Sequence, residues 1–196
     1  MHRPWWRKIV FSICWVIGWV VLTVTCRIRV EGEAPKGPAI LISNHPSYLD
    51  GPLALYVSPR VRIIAKPNPL VRVRWTYWLL DVFLTRRSAV ADARRHLRAG
   101  GIVWIMPEGG LSPGPMRRPR CGAARIAQES GAPLVPAGMV GTAGLQLRTW
   151  RPWRRPPVRI VLGKPRYALP EEDPRELMEE LMRELSRLTG TPYQPR

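Results

Sequence analysis

The chain has 196 residues, and its 31 lysine and arginine residues against 14 acidic ones give a formal net charge of +17. This length favours a single domain with a hydrophobic core, and an apolar content of 45% argues against a disordered chain. Three cysteines, none at CxxC spacing, exclude a disulfide framework and a cysteine-rich zinc site. The charge predicts an anionic partner: a membrane surface, a nucleic acid or a phosphorylated substrate.

The positive charge lies outside the C-terminal segment, because residues 171–196 contain seven acidic residues and only four arginines. Almost all of the basic residues are arginines. Arginine is well suited to bidentate phosphate contact, although so much arginine with many prolines and alanines also fits a GC-rich coding bias.

A long apolar segment lies near the N-terminus. Residues Ile9–Cys26 contain no charged residue, asparagine, glutamine or proline, and as a helix they would be about 27 Å long, close to the ~30 Å hydrocarbon core of a bilayer. Trp5, Trp6 and several basic residues flank this segment, as at a membrane interface. We therefore predict a membrane-anchoring helix over residues 1–26, which either spans the bilayer or lies half-immersed in it. The alternative is a buried core helix.

Beyond residue 26, short β-rich segments alternate with segments of helical length. Strands are predicted at 27–30, 39–42, 61–65, 82–85, 102–106, 134–137 and 158–162, and helices at 52–57, 69–80, 88–99, 121–130 and 174–189. The last helix has clear end signals, with Asp173 as N-cap, Pro174 at its first position and Gly190 after its end. The alternation predicts an α/β domain over residues 27–196, with a sheet covered on both faces. Residues 150–157 (WRPWRRPP) are predicted to form a loop.

Polar residues follow three of the predicted strands, at the position where α/β sheets form their sites. The first group is Asn44–Asp50 (NHPSYLD), directly after the apolar run AILIS. A turn can bring Asp50 back to accept a hydrogen bond from one nitrogen of His45, so that the other nitrogen acts as a general base. The alternatives are a structural histidine and, for Asp50, an N-cap of the following helix.

The second group is Pro107–Gly110, which follows the strand IVWI. Glu108 leaves a buried strand beside two glycines, and glycine lets main-chain N–H groups approach a ligand or a developing oxyanion closely. The alternative is a tight turn with an incidental glutamate.

The third group is Arg86 with Arg87, which follow VFLT and would form an anion clamp at a strand end. Arg117, Arg118 and Arg120 add positive charge in a loop with few ordering signals. The sequence contains no HExxH, Walker loop or GxGxxG motif, so arrangements built on those motifs have no support.

These groups resemble, in order and rough spacing, the motifs of the glycerolipid acyltransferase family, of the lysophosphatidic acid acyltransferase type. NHPSYLD is similar to the NHxxxxD motif, Arg86 to the arginine of the second motif, Pro107–Gly109 to the core of the third and Val135–Pro136 to the fourth. The resemblance covers about residues 27–165. It implies a glycerol-3-phosphate acyltransferase-like fold, which is a mixed α/β sheet flanked by helices with a membrane-associated N-terminal segment.

The resemblance implies acyl transfer from acyl-CoA, or from acyl carrier protein, to the hydroxyl of a lysophospholipid, with 1-acylglycerol-3-phosphate as the expected acceptor in phospholipid biosynthesis. His45 would deprotonate that hydroxyl, and Asp50 would orient and charge His45. Donors near Gly109 would hold the tetrahedral oxyanion, while Arg86 and Glu108 would position the acceptor, Arg86 through its phosphate. The family mechanism involves no acyl-enzyme, no metal and no cofactor.

The chain departs from the family pattern in the third motif, which is MPEGGLS where the family has FPEGTRS. Leu111 stands where an arginine often helps to hold the acceptor phosphate, and Arg87, Arg117 or Arg118 could replace that arginine. An acyltransferase that acts on a different lipid acceptor is therefore an alternative.

A second alternative is a non-catalytic basic protein that binds a membrane surface or a nucleic acid, with Trp150 and Trp153 in an aromatic, polybasic face. For the enzyme we expect an anionic membrane surface as a partner, no nucleic acid, and a catalytic domain on the cytoplasmic face of a membrane.

Overall fold

The computed structural model describes residues 5–65, 83–84, 89–145 and 151–195. In these ranges the chain forms seven strands and five α-helices. The strands are β1 (Arg27–Glu31), β2 (Ala39–Ile42), β3 (Val61–Ala65), β4 (Phe83–Leu84), β5 (Ile102–Ile105), β6 (Leu134–Val140) and β7 (Pro157–Leu162). The helices are α1 (Trp5–Thr25), α2 (Asp50–Val57), α3 (Ala89–Arg98), α4 (Gly122–Ser130) and α5 (Pro174–Thr189), and a short 3₁₀ helix covers Pro152–Arg154.

The described strands form one mixed sheet in the order β1-β7-β6-β2-β5-β3-β4. β6 and β7 pair antiparallel, and every other neighbouring pair is parallel. In the centre of the sheet, Ile42 of β2 lies opposite Ile105 of β5 on one side and opposite Pro136 of β6 on the other. Because these three strands are parallel, their carboxyl ends meet at one edge of the sheet. The predicted mixed α/β sheet flanked by helices is confirmed.

Alternate residues of the central strands face two separate hydrophobic layers. Ala39 and Leu41 of β2 pack in the layer that includes α1 and α2, whereas Ile40 and Ile42 pack in the layer that includes α3, α4 and α5. All four side chains are fully buried. This pattern is typical of a strand that is covered on both faces.

The last helix, α5, has the ends that the sequence predicts. The side chain of Asp173 accepts the main-chain N–H of Arg175 at 2.9 Å, Pro174 is the first helical residue, and Gly190 adopts a left-handed conformation after the end. Its apolar side packs on the sheet through three leucines and two methionines: Leu177, Leu181, Leu185, Met178 and Met182.

The predicted strand and helix boundaries agree closely with the structure at most elements. β6 continues three residues beyond the predicted strand, to Val140. The segment predicted as a loop at 150–157 contains the 3₁₀ turn Pro152–Arg154 in its described part. Phe83–Leu84 is the described part of the strand predicted at 82–85, and the helix predicted at 69–80 lies outside the described residues.

Helix α1 contains most of the predicted apolar segment and packs on the domain by one side of its C-terminal half. Leu22 is buried, and the ring of Trp19 stacks on that of Tyr56 in α2 with centroids 5.7 Å apart. Within the described ranges, no helix has the combination of length and hydropathy needed to cross a bilayer. Large apolar side chains are exposed along the rest of α1: Trp6, Ile9, Ile13, Val16, Ile17, Val20, Val21 and Val24.

Candidate active site

His45 and Asp50 lie side by side in the turn at the carboxyl end of β2. Nδ1 of His45 is 3.0 Å from Oδ2 of Asp50. The Asp50 side chain is completely buried, whereas 19% of the His45 side chain is exposed. Because the Asp50 carboxylate accepts a hydrogen bond from Nδ1, the neutral imidazole carries its proton on Nδ1, and Nε2 is the basic nitrogen. The structure therefore brings the predicted pair together, with the imidazole accessible and the carboxylate enclosed.

Asp50 is the first residue of α2 and not its N-cap. Leu49 occupies the cap position without a side-chain hydrogen bond. Oδ2 of Asp50 instead accepts the main-chain N–H of Ser47 at 2.7 Å, in addition to the bond with His45. In the described part of the chain, no donor contacts its other oxygen, Oδ1. The N-cap alternative is therefore wrong, because the carboxylate turns back toward the donors of the preceding turn.

Glu108 follows β5 and reaches the turn that contains the histidine. Its Oε1 accepts the main-chain N–H of His45 at 3.3 Å, and its Oε2 accepts the main-chain N–H of Arg117 at 2.9 Å. Burial raises the pKa of Glu108, although hydrogen bonds from the main-chain N–H groups of Arg117 and His45 oppose this shift. The carboxylate therefore joins the turn after β2 to the loop after β5.

The loop after β5 also binds the main-chain carbonyl of His45. The main-chain N–H of Ser112 donates to the C=O of His45 at 2.8 Å, while Glu108 accepts the N–H of His45. The hydroxyl of Ser112 donates to the C=O of Pro115 at 2.9 Å, which closes the loop on itself. The main-chain position of His45 thus depends on residues 108–115.

Two buried side chains that the sequence analysis did not identify as site residues fix the turn from the β6 side. Asn44 bonds the main chain of Met139 twice, since its Nδ2 donates to the C=O at 3.0 Å and its Oδ1 accepts the N–H at 2.7 Å. The hydroxyl of Ser47 donates to the C=O of Leu145 at 2.7 Å. The available signal was the run of short polar residues directly after a wholly apolar strand, because buried polar side chains require partners.

Gly109 adopts a left-handed backbone conformation, with φ of +71°. A Cβ atom at this position would lie 2.8 Å from Nε of Arg120. Glycine therefore suits this position for two reasons: it adopts a left-handed backbone without strain, and it has no Cβ to contact the guanidinium of Arg120. The N–H of Gly109 donates to the C=O of Met106 at 3.2 Å within the turn. An oxyanion donor near Gly109 stays a prediction for the neighbouring main-chain N–H groups.

The predicted arginine ligands are only partly described. Arg86 and Arg87 lie outside the described residues, so their roles stay predictions. Arg117, Arg118 and Arg120 are exposed on the loop that follows Glu108. Within the described ranges, no group of three His, Cys, Asp or Glu side chains is placed as a metal ion would require.

A groove of about 1370 Å³ lies at the opposite edge of the sheet, where β2 and β6 begin. It is lined by residues 32–39, 130–133 and 135–136 and by parts of β7 and α5, and it contains none of the predicted site residues. The chemistry-bearing side chains therefore lie at the other end of the parallel strands.

Comparison with known proteins links this arrangement to one family. A family model described as Acyltransferase matches residues 27–140. A chloroplastic 1-acyl-sn-glycerol-3-phosphate acyltransferase from Brassica napus is 28% identical over 144 residues, which are 66% of this chain but only 41% of that protein. The crystal structure of PlsC, the 1-acyl-sn-glycerophosphate (LPA) acyltransferase from Thermotoga maritima, matches with a TM-score of 0.72 and 25% identity, over 92% of this chain and 79% of that chain. The region that the family model matches includes both His45 and Glu108.

Proposed function

Because the chain belongs to the acyltransferase family, we propose that it transfers a fatty acyl group from an acyl thioester to the hydroxyl of a lysophospholipid. The motifs in the sequence, NHPSYLD among them, resemble those of the same family. The observation that carries the proposal is the contact of 3.0 Å between Nδ1 of His45 and the buried carboxylate of Asp50. Such a pair supplies the general base that a hydroxyl acceptor needs near neutral pH.

In the proposed reaction, Nε2 of His45 takes the proton of the acceptor hydroxyl while its oxygen attacks the thioester carbonyl. The tetrahedral oxyanion then collapses, the C–S bond breaks, and the departing thiolate takes up the proton from the imidazolium. Asp50 stabilises the imidazolium and holds the ring. Because a thioester is already activated, a positioned base and oxyanion stabilisation suffice, without an acyl-enzyme, a metal or a cofactor. General-base catalysis typically contributes ~10²–10⁴-fold.

For the acceptor we propose 1-acylglycerol-3-phosphate. The Brassica napus and Thermotoga maritima proteins are both named as acyltransferases of this lysophospholipid. A net charge of +17 favours a substrate that carries a phosphate monoester. Arg86 and Arg87 are the proposed phosphate ligands, and the exposed Arg117 and Arg118 beside Glu108 supply further positive charge. The donor is acyl-CoA or acyl carrier protein.

We propose that α1 holds the enzyme on an anionic membrane surface, with the catalytic domain on the cytoplasmic face where the acyl donor is supplied. Exposed apolar side chains extend from Ile9 to Val24 along α1. A contiguous exposed apolar surface on a soluble domain marks a site of interaction with membrane or protein. Acceptor and product are both lipids, so a lipid surface is the partner that this surface fits.

The test uses the full chain bound to phospholipid vesicles, with labelled acyl-CoA or labelled acyl carrier protein as donor. The acceptors are 1-acylglycerol-3-phosphate, lysophosphatidylcholine, whose phosphate is capped, and monoacylglycerol, which has no phosphate. We expect label in diacylglycerol phosphate, identified by mass, and a ~10²–10⁴-fold lower rate of labelling with the His45→Ala protein. Label only in another lipid would replace the proposed acceptor, and transfer to none of the three would overturn the proposed function.

A further inference from the structure

The segment Arg151–Arg155, called here the arginine–tryptophan loop, is not used by the proposed chemistry. Its Trp153 has the most exposed large apolar side chain of the described residues, at 73%. The guanidinium of Arg151 lies over that ring, 5.7 Å from its centroid, and Arg154 is also exposed. In the described part of the chain, no carboxylate pairs with Arg151 or Arg154. The loop thus presents an aromatic ring and two arginines to the outside.

The arginine–tryptophan loop is fixed to the end of α1. Nη2 of Arg155 donates to the C=O of Thr23 at 3.1 Å, in the last turn of α1, where carbonyls have no helical partner. Nε of Arg27 donates in turn to the C=O of Arg155 at 3.1 Å. Arg155 itself has a left-handed backbone with φ of 44°, which is uncommon for a residue with a side chain. The loop therefore has a defined position at the C-terminal end of α1, where Val21 and Val24 are exposed.

The chemistry of this surface fits an anionic lipid interface. Tryptophan is enriched at the boundary between the hydrocarbon and the headgroups of a bilayer, and arginines near the surface are attracted to anionic headgroups. A single-stranded nucleic acid would also accept stacking and positive charge. It would not use the apolar side chains of α1 that begin next to the loop, at Val24. The combination therefore favours lipid.

We propose that the arginine–tryptophan loop is a second lipid-binding element, which places Trp153 in an anionic membrane interface next to α1. The proposal rests on the proposed membrane association of α1. It assigns a different contribution to membrane binding to each of the two elements. Helix α1 provides the apolar contact with any bilayer, and the loop provides the preference for anionic lipid.

The test measures partition of the full chain to phosphatidylcholine vesicles with and without phosphatidylglycerol, by flotation. Replacing Arg151 and Arg154 by glutamine should lower partition to the anionic vesicles about fivefold for each arginine and leave partition to neutral vesicles unchanged. Trp153→Ala should lower partition to both kinds of vesicle, by about tenfold. Since these side chains are exposed, the variants should keep the circular dichroism of the native fold.

Matched controls lie on the other side of the sheet. The variant with Arg125→Gln and Arg175→Gln removes the same charge from α4 and α5, and Tyr167→Ala removes a ring that is 62% exposed. These controls should partition like the native chain. Loss of anionic preference by the charge-matched control to the same extent would overturn the proposal, because net charge alone would then explain the binding.

The outcomes separate this inference from the proposals on which it rests. Normal partition of all the loop variants would overturn it and leave the role of α1 intact. A native chain that binds neither kind of vesicle would overturn the proposed membrane association together with this inference. Salt-dependent DNA binding that only the loop variants lose, with unchanged vesicle binding, would assign the loop to nucleic acid instead. Acyl transfer to an acceptor dispersed in detergent reports the proposed activity separately.

Discussion

The main-chain N–H of His45 donates to the carboxylate of Glu108 at 3.3 Å, so the proposed base and the loop after β5 are directly joined. The contact is made with the main chain of His45 and not with its ring. Asp50 contacts the ring at Nδ1. Two carboxylates therefore position His45 in different ways. Asp50 orients the imidazole, and Glu108 fixes the main chain that carries it.

Glu108→Gln tests the backbone role. A glutamine offers one oxygen to the two main-chain N–H groups and turns its NH₂ toward the other, and the loss of one such partly exposed hydrogen bond costs ~0.5–1.5 kcal/mol. We expect a loss of stability of about that size and a lower kcat, with little change in the KM for the acceptor. Acyl-transfer kinetics and urea unfolding measure both. The matched control is Glu129→Gln, which removes only an exposed pair with Arg94. A raised acceptor KM with normal kcat would instead assign Glu108 to acceptor binding, as the family resemblance implies.

The raised pKa of Glu108 predicts a pH dependence of stability. Burial favours the protonated form in the folded chain, so the folded state binds a proton between the ordinary value of 4.5 and the raised pKa. The contribution of this group is fully present below pH 4.5 and is lost as the pH rises through the raised pKa. The free energy of unfolding of the native chain, minus that of Glu108→Gln, should therefore fall as the pH rises from 4.5. An increase over that range would contradict the assignment.

His45→Ala should lower kcat by ~10²–10⁴-fold, because it removes the nitrogen that accepts the hydroxyl proton. Its fold should persist, since Glu108 and Ser112 bond the main chain of residue 45, which alanine retains. His96→Ala is the control, because this histidine lies in α3 and not in the turn after β2. Its Nε2 lies 2.8 Å from the C=O of Arg60. That variant should lose stability and keep its kcat. Native turnover by the His45 variant would remove the proposed base.

Asp50→Asn tests the charge of the buried partner. An asparagine oxygen can occupy the place of Oδ2 and accept from Ser47 and His45, while its NH₂ occupies the place of Oδ1. The geometry is retained and the charge that stabilises the imidazolium is lost, so kcat should fall by ~10²–10⁴-fold. Asp92→Asn, which removes the surface partner of Arg95, should leave kcat unchanged. Equal kinetics of the two variants would contradict the role of Asp50.

Gly109→Ala should destabilise the fold and lower activity. A left-handed backbone costs an alanine ~1–2 kcal/mol, and the exposed Arg120 side chain, whose Nε would lie 2.8 Å from the new Cβ, would have to move aside at little further cost. Gly110→Ala provides the neighbouring control, because no atom lies within 4 Å of a Cβ built there. Thermal unfolding and acyl transfer of the two variants measure the difference. Similar stability of both variants would show that the turn does not require glycine at position 109.

Local signals were sufficient for much of the fold. The ends of α5 follow from Asp173 and Gly190, whose effects on a helix depend only on adjacent residues. The pairing of His45 with Asp50 was also predictable, because the two are five residues apart in a single turn. The acyltransferase family, inferred from the order of the motifs, is confirmed by the match over residues 27–140.

Contacts between distant segments could not be predicted. The bond from His45 to Glu108 joins residues 63 apart, and that from Asn44 to Met139 joins residues 95 apart. Both depend on the placement of β2 between β5 and β6, and periodicity does not encode strand order. The contact between His96 and the C=O of Arg60 could not be predicted for the same reason, since the two residues belong to different elements.

Helix α2 carries the proposed catalytic aspartate at one end and the contact with α1 at the other. Asp50 is its first residue, and Tyr56, near its last, stacks on Trp19. Six residues of α-helix span about 9 Å along the axis. A bilayer that binds the exposed apolar side of α1 would therefore lie at a fixed distance from the imidazole of His45. In the proposed reaction, the depth at which the acceptor hydroxyl reaches His45 is then set by the length of α2, and the insertion of one helical turn into α2 would move the proposed base away from that depth.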